Sequence, residues 1–139
     1  MTTLFASANR LGDDGAAAIA EGLSVDTRLE RLGLSSNRIS GPGTEALARA
    51  AASHPRLLLL DLGFVRATPA LGELGNRLGD EGAAAIADAF GKPAPTRDGG
   101  TAWPSLRALN LEHNGITQVR ARLAVRGVWH VALRDWLTC

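Results

Sequence analysis

The side chains of this sequence that could do chemistry are few and scattered. Three histidines, His54, His113 and His130, are the residues of the type that binds a metal or moves a proton, and Cys139 is the single thiol. A metal site needs His, Cys or acidic residues at ligand spacing, and none of the three histidines has such neighbours. They are expected to be solvent-exposed: His54 in a helix-to-strand turn, His113 after a strand, His130 in the tail. Cys139 is the last residue, so no internal disulfide can form and the thiol reads as incidental. The acidic pairs Asp13 with Asp14 and Asp80 with Glu81 belong to two copies of one segment, so they recur because the segment recurs. No Gly-x-Ser-x-Gly, His-Glu-x-x-His or Gly-x-x-x-x-Gly-Lys-Ser/Thr accompanies them. The expectation is no catalytic residue, no metal ligand, no cofactor and no enzyme.

The composition points the same way. The 139 residues fit about one domain. Hydrophobic residues are 45%, aromatics 4% and tyrosine is absent, so the core must be aliphatic and assembled from many similar units. A formal net charge of +1 supplies no field for nucleic acid or an anionic membrane. Neither an apolar run of spanning length nor a basic, apolar and cleavable leader is visible. A cytoplasmic protein with no nucleic-acid or membrane partner is expected.

Self-similarity decides the organisation. Residues 9–23, NRLGDDGAAAIAEGL, and residues 76–90, NRLGDEGAAAIADAF, are identical at 11 of 15 positions. The stretch LERLGLSSNRISGPGTEALARAA places Leu29, Leu32, Leu34, Asn37, Ile39, Gly43, Leu47 and Ala48 on the same template, and LRALNLEHNGI places Leu106, Leu109, Leu111, Asn114 and Ile116 on it. Met1, Leu4, Ala6, Asn9, Leu11, Gly15, Ile19 and Leu23 fit from the first residue, so no capping segment is expected before them. Asn9, Asn37, Asn76 and Asn114 are separated by 28, 39 and 38 residues: one period of 28, then two periods carrying insertions.

The pattern L-x-x-L-x-L-x-x-N-x-L/I-x-x-x-G-x-x-x-L-A-x-x-L over residues 1–119 resembles the ribonuclease-inhibitor class of leucine-rich repeats, found also in the sensing regions of NOD-like immune receptors and in Ran GTPase-activating proteins. The resemblance implies an α/β fold: a right-handed superhelix of about four repeats forming a partial horseshoe, with parallel strands on the concave side and helices on the convex side. It also implies a protein partner, for a monomer or for part of a longer repeat array. A GTPase activator of the Ran-activating type and a recognition fragment of a larger receptor are the alternatives it brings.

The residues support that architecture without the resemblance. L-x-x-L-x-L ends in the two-residue alternation of a short strand, and Ile19 with Leu23, or Leu47 with Ala51, has the spacing of one helical face. Helices are wider than strands, so a stack of such units bends. Asp13 and Asp80 are read as N-caps of their own helices, with Asp14 and Glu81 on the positive helix end. The four asparagines, Asn9, Asn37, Asn76 and Asn114, are read as structural, satisfying turn backbone that stacking would bury. Gly15, Gly43 and Gly82 suggest close helix-to-strand approach or an unusual dihedral.

The units are 1–28, 29–56, 57–90 and 106–119. Within the third, residues 63–75 form an insertion at the strand's C-terminal edge, read either as a functional loop or as one tolerated because it faces solvent. Residues 91–105, rich in Gly and Pro, read as a flexible connection, with Trp103 sealing the hydrophobic layer. In residues 120–139, Val125, Val128, Trp129, Ala132, Leu133 and Trp136 have helical spacing and suggest a C-terminal cap; a truncated longer array is the other reading. The outward strand positions are Phe5 and Ser7, then Arg31, Gly33 and Ser35, then Leu59, Asp61 and Gly63, then Ala108, Asn110 and Glu112. From these, Phe5, Arg31, Ser35, Leu59, Asp61, Asn110 and Glu112 are the candidate binding residues, with the 63–75 loop beside them.

Overall fold

The structure, a computed structural model, describes residues 2–26, 28–70, 72, 74–117 and the backbone of 130–132. Four short strands lie parallel and in register: β1 (Thr3–Phe5), β2 (Arg31–Gly33), β3 (Leu59–Asp61) and β6 (Ala108–Asn110). Helices α1 (Gly12–Val25), α2 (Gly41–Ser53) and α3 (Gly79–Phe90) follow the first three. Leu4, Leu32, Leu60 and Leu109 stand side by side across the sheet, and α1 packs on α2 and α2 on α3. Strands about 4.8 Å apart and helices about 8 to 10 Å apart cannot stack straight, so the sheet takes the concave side.

The core lies between the two layers. Leu32, Leu34 and Ile39 from the second unit, Leu57, Leu60, Leu62 and Leu78 from the third, and Leu106, Leu109 and Leu111 from the fourth are buried with Leu47, Ile86 and Phe90 of the helices. In the first unit Leu4, Ala6, Leu11 and Ile19 are only partly buried against this core. The reason is geometric: described units flank the second and third on both sides, but the first on one side only.

The structure departs from the sequence expectations at several places. Asp13 and Asp80 do not cap their own helices, which start after Leu11 and Leu78 with no side-chain cap. They reach instead to the next unit. The Asp13 carboxylate accepts from Ser40 N (2.8 Å), Ser40 Oγ (2.5 Å) and Gly43 N (3.1 Å), so it caps α2. Asp80 accepts from Thr117 N (2.6 Å) and Thr117 Oγ1 (2.5 Å) in the fourth unit. At the middle junction the equivalent position is Gly41, against which the Glu81 carboxyl packs. A Cβ on Gly43 would fall 2.3 Å from Asp13 Oδ1 and 3.0 Å from Asp13 Cα, so this glycine allows close approach of neighbouring helix starts and not of helix to strand.

The second correction is residues 91–105, which are not a loose connection. β4 (Ala94–Pro95) and β5 (Thr101–Ala102) pair antiparallel. Thr96 N donates to Gly100 O at 2.9 Å, and Gly99 takes the turn at φ +84°. Ala94 is buried and β4 packs on α2; the Arg97 guanidinium donates to the Ser24 carbonyl at the end of α1, and Ser105 Oγ to the Pro55 carbonyl at 2.8 Å. The hairpin is thus a strap laid back across the first two units. Third, Trp103 is 47% exposed rather than sealed in. Fourth, His130–Ala132 form strand β7, parallel to β6, where the spacing had put Ala132 on a helix. Val125, Val128, Trp129, Leu133 and Trp136 lie outside the described residues.

Candidate binding face

The face of the sheet turned away from the helices is built in rows, because the strands are in register and alternate residues point to the same side. Thr3, Arg31, Leu59 and Ala108 form one row, and Phe5, Gly33, Asp61 and Asn110 the next. Phe5 is 64% exposed, and its ring covers the neighbouring strand. It lies against Gly33 so closely that a Cβ there would fall 2.2 Å from Phe5 Cδ1. Arg31 is exposed beside it and Leu59 half-buried.

The second half of the face is polar and hydrogen-bonded. Asp61 Oδ1 accepts from Ser35 Oγ (2.7 Å) and Gly63 N (2.9 Å). Ser35 is itself buried, so it orients Asp61 and offers little surface of its own, a correction to its place among the contact residues. Asn110 leans over Gly63, where a Cβ would meet Nδ2 at 2.5 Å, and its Oδ1 accepts from Glu112 N at 3.0 Å. Asp61, Asn110 and Glu112 are each half-buried. Gly33 and Gly63 therefore set the relief of the face; in the sequence they stand out only as the two outward strand positions without side chains.

The four asparagines sit where the chain leaves the strands. Asn37 Oδ1 accepts from Asn9 N (2.8 Å) while its Nδ2 donates to Ala6 O (2.8 Å). Asn76 Oδ1 accepts from Asn37 N (2.8 Å) and Ile39 N (3.0 Å), and its Nδ2 donates to Leu34 O and Leu62 O, both at 3.0 Å. Asn114 Nδ2 donates to Leu62 O at 2.8 Å, and Asn9 Nδ2 to Ser7 O at 3.0 Å. From Asn37 onward, each side chain bonds main chain of the preceding unit.

The 63–75 insertion is tied to this edge. Ser36 Oγ accepts from Val65 N and from Thr68 Oγ1, both at 2.8 Å, and Thr68 is buried. The Phe64 ring meets that of His113, centroids 5.4 Å apart and tilted by 57°, and Leu74 is 56% exposed. A cleft of about 450 Å³ between Phe64, Leu74, Arg77 and His113 opens there. Nothing in the sequence singled out Ser36; its anchoring of a segment 29 residues ahead is visible only in three dimensions.

His54 also departs from expectation: it is 2% exposed, because the hairpin covers the end of α2. His113 is exposed. Among the described residues no group of three or more His, Cys, Asp or Glu side chains could hold a metal ion, and no helix is long and apolar enough to cross a membrane. What the open face can do is present aromatic, cationic and acidic groups to a surface that matches them.

A sequence profile of the family described as Leucine Rich repeat matches residues 26–48, 75–87 and 104–119. These segments contain the strand of the second unit, the asparagine turn and helix start of the third, and the strand and turn of the fourth. No curated protein matches the chain.

Proposed function

From leucine-rich repeats whose sheet leaves one face open, we propose that this chain is a non-catalytic scaffold that recognises a protein partner through that concave face. Phe5, Arg31 and Leu59 are the anchoring side chains, and Asp61, Asn110 and Glu112 the polar flank. The observation that carries this reading is the Phe5 ring: a large apolar side chain, 64% exposed, seated on Gly33. Aromatic and arginine side chains are enriched at protein interfaces. The 63–75 loop extends the same edge and offers the exposed Leu74 as a further contact. The activator and receptor readings draw on the resemblance alone.

The test uses a photo-crosslinking residue placed at Leu59, or at Ala17 on the helical side. Adducts are expected from Leu59 and not from Ala17; equal adducts from both would remove the concave site. Gly33→Ala is the companion variant. Its methyl must displace Phe5, a solvent-facing ring that can swing aside, so stability is expected to change by less than about 1 kcal/mol. Partner affinity is expected to fall about tenfold, roughly 1.4 kcal/mol.

A further inference from the structure

His54 sits at the C-cap of α2, beneath the strap of residues 91–105. It lines a cleft of about 350 Å³ together with Ala94, Arg97, Asp98 and Trp103. Its Nδ1 accepts a hydrogen bond from Arg56 N at 3.2 Å, so in the neutral ring Nε2 carries the hydrogen. Nε2 is buried. The charged residues that face the ring are Asp26, at the end of α1, and Arg97, on the hairpin; Asp98 lines the same cleft.

We propose that His54 is a pH-sensitive latch for this strap: proton uptake at Nδ1 removes the acceptor that Arg56 N uses, sets a buried cation beside Arg97, and loosens the hairpin from the first two units. The neutral ring is compatible with the packed hairpin, and the imidazolium is not. Its Nδ1–H would face the Arg56 N–H, donor against donor, and a buried charge beside the Arg97 guanidinium is costly. Burial pushes the pKa of His54 below its ordinary 6.5; the Asp26 main chain and carboxylate pull it back part of the way, and the Arg97 guanidinium pushes it further down. Arg97 is also the side chain that ties the hairpin to α1, through the Ser24 carbonyl. Repulsion between ring and guanidinium therefore acts directly on the tether.

The experiment is an NMR titration of the full chain from about pH 8 to 5, following the His54 ring and the Thr96, Gly99 and Gly100 amides. A shared midpoint below 6.5 is expected, together with loss of the hairpin step in His54→Asn, whose carbonyl can still accept from Arg56 N. In Arg97→Ala the His54 midpoint is expected to rise, because a neighbouring cation is gone. The proposal is overturned if the hairpin amides titrate unchanged in His54→Asn, or if His54 titrates while they stay still. An unmoved midpoint in Arg97→Ala would overturn it too, and that variant decides the matter should His54→Asn not fold.

Discussion

Asn76 shows most clearly what a single side chain does here. It is buried and holds four main-chain groups from two units, two N–H donors and two carbonyls. Asn76→Ala would orphan Asn37 N, Ile39 N and the Leu34 carbonyl in a site closed to water, while the Leu62 carbonyl keeps Asn114 Nδ2. Each buried orphan costs about 1 to 3 kcal/mol, so a loss of at least about 3 kcal/mol is expected in urea unfolding. An unchanged midpoint would mean that water reaches the turn. The positions of the asparagines were legible in the sequence because the period marks them. Their bonds were not, since from Asn37 onward at least one partner of each lies in the preceding unit. His54 was misread for a related reason: a turn histidine looks exposed until a hairpin forty residues further on closes over it.

At the scale of elements, the clasp between units matters more than the cap within one. Asp13 stabilises a helix to which it does not belong, satisfying the N–H of Gly43 and both groups of Ser40. Asp13→Ala is expected to cost about 2 kcal/mol, the sum of a lost cap and a charged hydrogen bond. Burial pushes the Asp13 carboxyl up, but the bonds from Ser40 and Gly43 outweigh it and hold the group below 3.8. A carboxylate so lowered contributes stability that is full above pH 3.8 and is lost as the pH falls through its folded value. Thermal unfolding between about pH 5 and 2 should therefore show a shallower acid limb in the variant. The strands and helices were legible because periods of two and of three to four residues announce them. The hairpin was hidden because two-residue strands have no period, and its Gly and Pro content reads equally as a flexible tether.

For the whole molecule, the core is continuous from the first unit to the fourth, so a cavity should be felt according to how many neighbours share it. Leu60, fully buried in the middle of the sheet, is expected to cost about 2 to 5 kcal/mol on change to Ala. Hydrogen exchange should then quicken in the units on both sides. Leu4→Ala, at a partly buried position, should cost less and quicken exchange only in the first unit. Equal effects would mean that the stack unfolds as one block. The architecture was legible in the repeated leucines; the relief of the open face was not, because it depends on which rings and amides lean over Gly33 and Gly63. The strap has one more consequence, for the chain during its synthesis. Ser24 and Arg97 are 73 residues apart, and at about 5 to 20 residues per second a ribosome takes roughly 4 to 15 s to make that stretch. For that interval the Ser24 carbonyl at the end of α1 has only solvent or a chaperone to satisfy it, so the closing of this tether is set by the pace of translation.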